Sequence, residues 1–359
     1  NMNSTYAKVG DSVLISFVAA ELITNQSVFI VSQSASVIEL SDDRRHFLGS
    51  YLMQESDPEG VIRFGITVTD SVGLVSDTVS NTSDASRVIF DRKNPYLTWV
   101  NITSNNDVNE MVGVADDDVY LKFIPDSALI FDSVSVTISN RVASITQSLD
   151  TLIATVSIIG EGVDSAGILP FTIDYMDYAG NRGEQVVNTS DESFVNHDVG
   201  PPEIVSVRIW SSNLDSSWAK IGDTVFVELI ANEPLSNSSI QIGGRNSNQE
   251  IPANSPTHQG YIIMDNSDNE NCLQLSVSYS DLGGLAGADT DSTTDGSRVC
   301  FDMTPPQIDN VSIKTNNAYG DSLAKTGDTD TLVFSISEIM RDINLILSDN
   351  ENTPIRDSL

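Results

Sequence analysis

Nine acidic residues recur at matched places along the chain. Glu21, Glu233 and Glu338 each end an alternating apolar run. Asp70, Asp177 and Asp281 each open a D-x-x-G turn, in DSVG (70–73), DYAG (177–180) and DLGG (281–284). Asp91, Asp198 and Asp302 each begin a D-x-x-x-P junction, in FDRKNP (90–95), HDVGPP (197–202) and FDMTPP (301–306). Carboxylates are hard oxygen ligands. If the three kinds of position gather at one end of a folded unit, near the next unit, they suit Ca²⁺ and would stiffen the linker. The same acids can instead cap turns by accepting backbone hydrogen bonds. The sequence leaves both roles open, and it implies no other cofactor.

Other reactive side chains are few. Cys272 and Cys300 have no metal-finger or CxxC spacing. Shifted back by 211 residues they align with Val61 and Ile89, apolar members of the last two strands of a unit. They therefore read as a disulfide across a hairpin outside the cell, or as two buried thiols. N-x-S/T sequons occur at Asn3, Asn25, Asn81, Asn101, Asn188, Asn237 and Asn310. NTSD occupies equivalent loops at 81–84 and 188–191, which reads either as glycan acceptors or as ordinary Asx/ST turns. His46 sits in a charged loop. His197 takes the place of Phe90 and Phe301, so it reads as a packed strand residue. No nucleophile elbow, zinc-protease helix, P-loop or dinucleotide fingerprint is present, and acid pairs such as Asp42–Asp43 and Asp116–Asp118 are ordinary on an acidic surface. No enzyme activity is expected.

The elements that must carry these residues repeat. AKVGDSVLISFVAAE (7–21), AKIGDTVFVELIANE (219–233) and AKTGDTDTLVFSISE (324–338) are near copies, with a weaker one, ADDDVYLKFIPD, at 115–126. Aligned on Asp11, Asp118, Asp223 and Asp328, they are 107, 105 and 105 residues apart. The D-x-x-G turns and the Pro junctions keep the same spacing, 107 and 104 residues in each case. Within a unit the apolar residues alternate, as in Val225, Val227 and Leu229. Period two places every second side chain on one sheet face. IRFGITVTD, ILPFTIDYMD and CLQLSVSYSD are later strands, and RVIFD, SFVNHD and RVCFD close each unit.

Several short strands in about 105 residues, with turns between them, is the rhythm of an Ig-like sandwich. On these motifs the chain resembles the tandem Ig-like repeats of large extracellular surface and fibril proteins, the bacterial Ig-like and cadherin-like arrays. The resemblance implies an all-β chain of sandwiches in a linear array outside the cell or on its surface. The units are expected at 1–92, without an opening strand, at 93–199, at 200–303, and at 304–359 as a partial unit of opening strands, with INLILSD (343–349) as a further strand. The antibody Cys–Trp–Cys pattern is absent, and Trp99, Trp210 and Trp218 lie near unit starts.

Charge narrows the function classes. Lys+Arg 18 against Asp+Glu 51 gives a formal charge of −33. Such a surface repels nucleic acid and anionic membranes. No apolar run approaches the roughly 20 residues of a membrane span, and NMNSTYAK reads as the start of a mature or trimmed piece. The expectation is a structural subunit of an extracellular fibre or stalk. Its partner is itself, head to tail, through a strand that one chain lends to another where the end units are incomplete. The alternative is an adhesin whose loops bind a glycan or a protein, and a surface-layer lattice is a third. The divergent second unit and the loop 243–260 offer no aromatic cluster for a sugar.

Overall fold

The structure of the protein is a computed structural model, which describes residues 3–160, 162–340 and 342–346. Short strands build it; among the described residues the only helical element is the 3₁₀ turn Phe131–Ser133. No helix of the described residues is long and apolar enough to cross a membrane. The architecture is all-β, a tandem array of Ig-like sandwiches.

The second unit shows the plan. One sheet runs Leu97–Ser104, Asp118–Pro125, Thr151–Ser157, Ser144–Ser148. The facing sheet runs Arg141–Val142, Ser135–Ile138, Phe171–Asp174. Alternate residues of both enter one core, where Val119, Leu121, Phe123, Val136, Ile138 and Ile173 are fully buried. The third unit repeats this with its own core around Val225, Val227, Leu229, Ile240 and Val277. There Thr224–Ile242 is one long strand. Its first part pairs with Ile204–Ser211 and Ser255–Ile263, and its second with Leu275–Asp281, with register shifts between Ile230 and Leu235 and between Leu235 and Asn237. Glu233 sits on this crossover, so it lies within a continuous strand rather than ending one.

The repeated AKxGD segment does two jobs. Its first residues form a two-residue strand parallel to the closing strand: Tyr6–Ala7 beside Ile89–Phe90, Val112–Gly113 beside Asn196–His197, Trp218–Ala219 beside Cys300–Phe301. Its Gly then turns in the left-handed region, with φ of +84° at Gly10, +88° at Gly222 and +93° at Gly327. The turn is held by an acid that accepts the backbone N–H three residues back: Lys8 to Asp11, Lys220 to Asp223, Lys325 to Asp328. In the second unit this acid is Asp117, which accepts from the Val114 N–H. The alignment on Asp118 is therefore one residue out of register, and Asp116, at φ +74°, stands where the others have Gly.

The opening strands of the second and third units are gripped on both sides. Val100 and Ile102 donate to the hydroxyls of Ser190 and Ser193; Val207 and Ile209 donate to those of Thr294 and Ser297. In the first unit Ser12–Val18 pairs only with His46–Leu52, and that sheet has three strands among the described residues. After residue 303, Ile308–Thr315 pairs with Asp330–Ile336, and the apolar side chains of this ribbon are exposed or half-buried. Residues 343–346 carry no strand, and the remainder of the expected strand, 347–349, lies outside the described residues.

Candidate functional site

The acids converge where the second unit meets the third. Asp281 closes the strand Leu275–Asp281 and folds the D-x-x-G turn around itself. Its Oδ1 accepts from the N–H groups of Gly283 and Leu285, at 2.9 Å each. That turn rests on the preceding unit. Asn106 Nδ2 donates to the Gly283 carbonyl at 3.1 Å. A Cβ on Gly283 would stand 2.9 Å from Val114 Cγ1, so only Gly allows this approach without displacing a neighbour. The contact brings Asp281 of the third unit to Asp198, the closing acid of the second. Glu233, on the crossover of the long strand, completes the group. Carboxylate oxygens of Asp198, Glu233 and Asp281 all lie within 4.8 Å of one another.

Electrostatics shows what such a group needs. Burial first, then the nearby charges of Asp198 and Asp281, pushes the Glu233 carboxyl above its ordinary value. Burial raises Asp281 too, and the charge of Asp198 adds to it, against the turn N–H bonds that lower it. Asp281 is fully buried, and its Oδ2 has no hydrogen-bond partner. A buried carboxylate oxygen without a partner is costly. Three hard oxygens of one sign around such an atom fit the ligand set of a divalent cation such as Ca²⁺.

The first joint is assembled alike and finished differently. Asp177 closes the same turn and accepts the Asn181 N–H on Oδ1. Its Oδ2, the counterpart of the orphaned oxygen, accepts from Asn181 Nδ2 at 2.9 Å. The same nitrogen donates to the Asp91 carbonyl oxygen of the first unit, at 3.0 Å. Tyr178 stacks on Tyr6 across the joint, with ring centroids 5.9 Å apart. Ten residues beyond the AKxGD acid, where Asp223 leads to Glu233, Asp117 leads to Ser127. The third acid is thus missing here. Burial, then Asp177 and Glu59, raises the Asp91 carboxyl against the Lys93 N–H bond that lowers it.

Of the nine acids, Asp198, Glu233 and Asp281 form the one group of three among the described residues, and Asp91 and Asp177 approach each other as a pair. A joint takes the closing Asp of one unit and the Glu and turn Asp of the next. Asp91 and Asp177 thus belong to the first joint. Asp302 closes the third unit, Glu338 follows the strand Asp330–Ile336, and Glu21 and Asp70 belong to the first unit; none of them enters a group of three among the described residues. Several serve as caps: Asp70 accepts from the Val72 and Leu74 N–H groups, and Asp302 from Thr304. Asn181 was not among the expected residues. The signal lay in DYAGN against DSVGL and DLGGL, where the fourth residue after the Asp changes from Leu to Asn.

The remaining candidates are placed as follows. Cys272 and Cys300 face each other as an antiparallel pair and are joined as a disulfide. Asn25, Asn81, Asn188, Asn237 and Asn310 are exposed. Asn3 is half-buried, and its Oδ1 accepts from Thr5. Asn101 is half-buried, and its Nδ2 donates to Asp191. In the NTSD loops Thr82 and Thr189 donate to the carbonyls of Ser86 and Ser193, and in the second unit the same loop grips the opening strand through Ser190 and Ser193. His197 is a buried residue of the closing strand, and His46 is exposed and paired with Asp43.

No protein-family model matches the chain, and no curated protein matches it. Among solved structures, the I9–I11 tandem of titin is 12% identical, covers 82% of this chain and 94% of its own, and gives a TM-score of 0.29. A structure from a 1.5-MDa bacterial ice-binding adhesin is 15% identical, with 84% and 95% covered and a TM-score of 0.41. Fibronectin(III)-like modules of Clostridium thermocellum CbhA are 13% identical, with 56% and 93% covered and a TM-score of 0.27.

Proposed function

We propose that this chain is a structural, non-catalytic segment of an extracellular fibre or surface stalk, with its second joint stiffened by a divalent cation. The observation that carries the reading is the repeated joint. In both, the D-x-x-G turn of one unit seats on the end of the unit before it. Asn106 reaches Gly283 in one, and Asn181 reaches Asp91 in the other. Joints built alike hold successive sandwiches in one relation, which is what a load-bearing rod needs. The Cys272–Cys300 bond supports an oxidising compartment, and the acidic surface suits surroundings rich in divalent cations.

Head-to-tail assembly follows from the same plan. Val311 and Ile313, 62% and 63% exposed, stand in the sequence where Val100 and Ile102 are buried. The contact would be an exchange of partners: Ile308–Thr315 leaves Asp330–Ile336 and pairs with Ser12–Val18 of a second copy, as Leu97–Ser104 pairs with Asp118–Pro125. Ser83 and Ser86 occupy the positions of the gripping Ser190 and Ser193. Such a contact does not close on itself and propagates as a filament. Electron microscopy of the native material, with and without a chelator, tests the reading. Uniform rods that join end to end are expected, and I313D should shorten them. Separate flexible beads would contradict it.

A further inference from the structure

The geometry points to a division of labour between the joints: the Asn181 side chain permanently takes the place of a cation in the first, so cation control is confined to the second. This rests on the cation reading above. Two oxygens at equivalent positions carry the inference. Asp281 Oδ2 is buried without a partner, whereas Asp177 Oδ2 is held by Asn181 Nδ2. That one nitrogen does what an ion would do in the second joint. It satisfies the turn carboxylate of the later unit and, through the Asp91 carbonyl, ties it to the end of the earlier unit. An amide N–H₂ has two donors and no net charge, so both its hydrogens are used here and no ion is required.

Two further differences agree. The second joint presents three carboxylates, the first only Asp91 and Asp177, because Ser127 stands where Glu233 does. The chain between the first joint's units carries Arg92 and Lys93, which pair with Glu59, while Val199-Gly200-Pro201-Pro202 carries no basic residue. Neighbouring cationic side chains oppose a further cation, and a linker without them favours one. Of these two joints, the first is then fixed by its own side chains and the second is set by the ambient divalent ion.

Calorimetric titration of the chain with CaCl₂ tests this, with folding of each variant checked by circular dichroism. The wild type should bind one ion. L285N, which installs the Asn181 amide beside Asp281, should bind at least 100-fold more weakly. The double variant N181L/S127E, which removes the amide and restores the third acid, should bind two. A wild type that binds two ions overturns the proposal, as does an L285N chain that binds as tightly as wild type. If N181L/S127E does not fold, L285N decides; if it folds and binds one ion, the proposal is wrong. A wild type that binds none removes the cation reading itself, whereas failure of the rod reading would appear in the micrographs and leave these stoichiometries unchanged.

Discussion

The first two joints of this chain solve one problem in two ways. Each must bury a turn carboxylate at the meeting of two sandwiches. Around Asp177 the protein supplies a neutral donor, and every oxygen of that carboxylate is partnered. Around Asp281 it supplies two more carboxylates and leaves an oxygen unpartnered. The first arrangement is complete with the chain alone. On the proposed reading, the second is completed by a divalent cation. We propose that like backbone turns here yield a fixed joint and a conditional one, with Asn181 and Ser127 in the first standing against Leu285 and Glu233 in the second.

Variants can break that contrast. The largest effect is expected from D281N, which keeps an oxygen for the turn bonds but removes the charge. At a Ca²⁺ concentration about 100 times the dissociation constant, the wild type gains about 2.7 kcal/mol. D281N should lose that gain, measured as melting with and without EGTA. An unchanged Ca²⁺-dependent shift in D281N would break the comparison.

Next is N181L. It leaves Asp177 Oδ2 buried without a donor, at a cost of roughly 1–3 kcal/mol, and this loss should be the same in EGTA and in Ca²⁺. Chemical denaturation measures it, and a cost below about 0.5 kcal/mol, the low end for one net hydrogen bond, would show that the amide is not holding the first joint.

A pH effect sharpens the comparison by separating the joint from the unit. His258 is fully buried, its Nδ1 lies 2.8 Å from Ser238 Oγ, and burial lowers its pKa below the ordinary 6.5. The folded state then binds fewer protons than the unfolded one. Its contribution is present above pH 6.5 and is lost as pH falls below that value, at up to about 1.4 kcal/mol per pH unit. The paired positions Leu229–His258 and Phe123–Leu152 match, so H258L copies the second unit. H258L should flatten the stability of the third unit between about pH 6.5 and the lowered pKa, and an unaltered slope would remove His258 as its source.

The smallest effect is expected from N106A. It loses the Nδ2 bonds to Asp117 and Gly283 and the N–H bonds that Oδ1 accepts from Val108 and Asn109; at this half-buried site water replaces most of them, leaving a loss of about 1 kcal/mol. It should also raise amide exchange at 283–285 while leaving that at 177–181 alone.

Much of this was legible in the residues. A period shared by three kinds of marker identifies the units, and strict alternation in TVFVELI places Val225, Val227 and Leu229 inside. The run of three acids at 116–118 hid the register, because a turn Asp is recognised by the N–H it caps and Asp117 and Asp118 are chemically alike. The joint was half legible. Recurrence marked the acids, but the expected gathering of all three kinds at one end of a unit does not hold: Glu233 and Asp281 meet Asp198 of the preceding unit, not Asp302 of their own. Recurrence could not show that a joint combines the Asp of one unit with the acids of the next, because that depends on how the units dock. Asn181 escaped because a lone amide in a loop carries no pattern; its role appears only through the atoms at 2.9 and 3.0 Å. The crossover at Glu233 escaped because Pro234 reads as a strand end, although the strand carries on through a register shift.

The most direct measurement of the central claim is a pair of distance distributions by pulsed electron spin resonance. Spin labels at Thr146 and Asn248 span the second joint, and labels at Ser36 and Thr146 span the first. The account predicts that EGTA broadens the first-named distribution, that Ca²⁺ narrows it again, and that the Ser36–Thr146 distribution is narrow in both. Equal broadening at both joints, or none at the second, would contradict it.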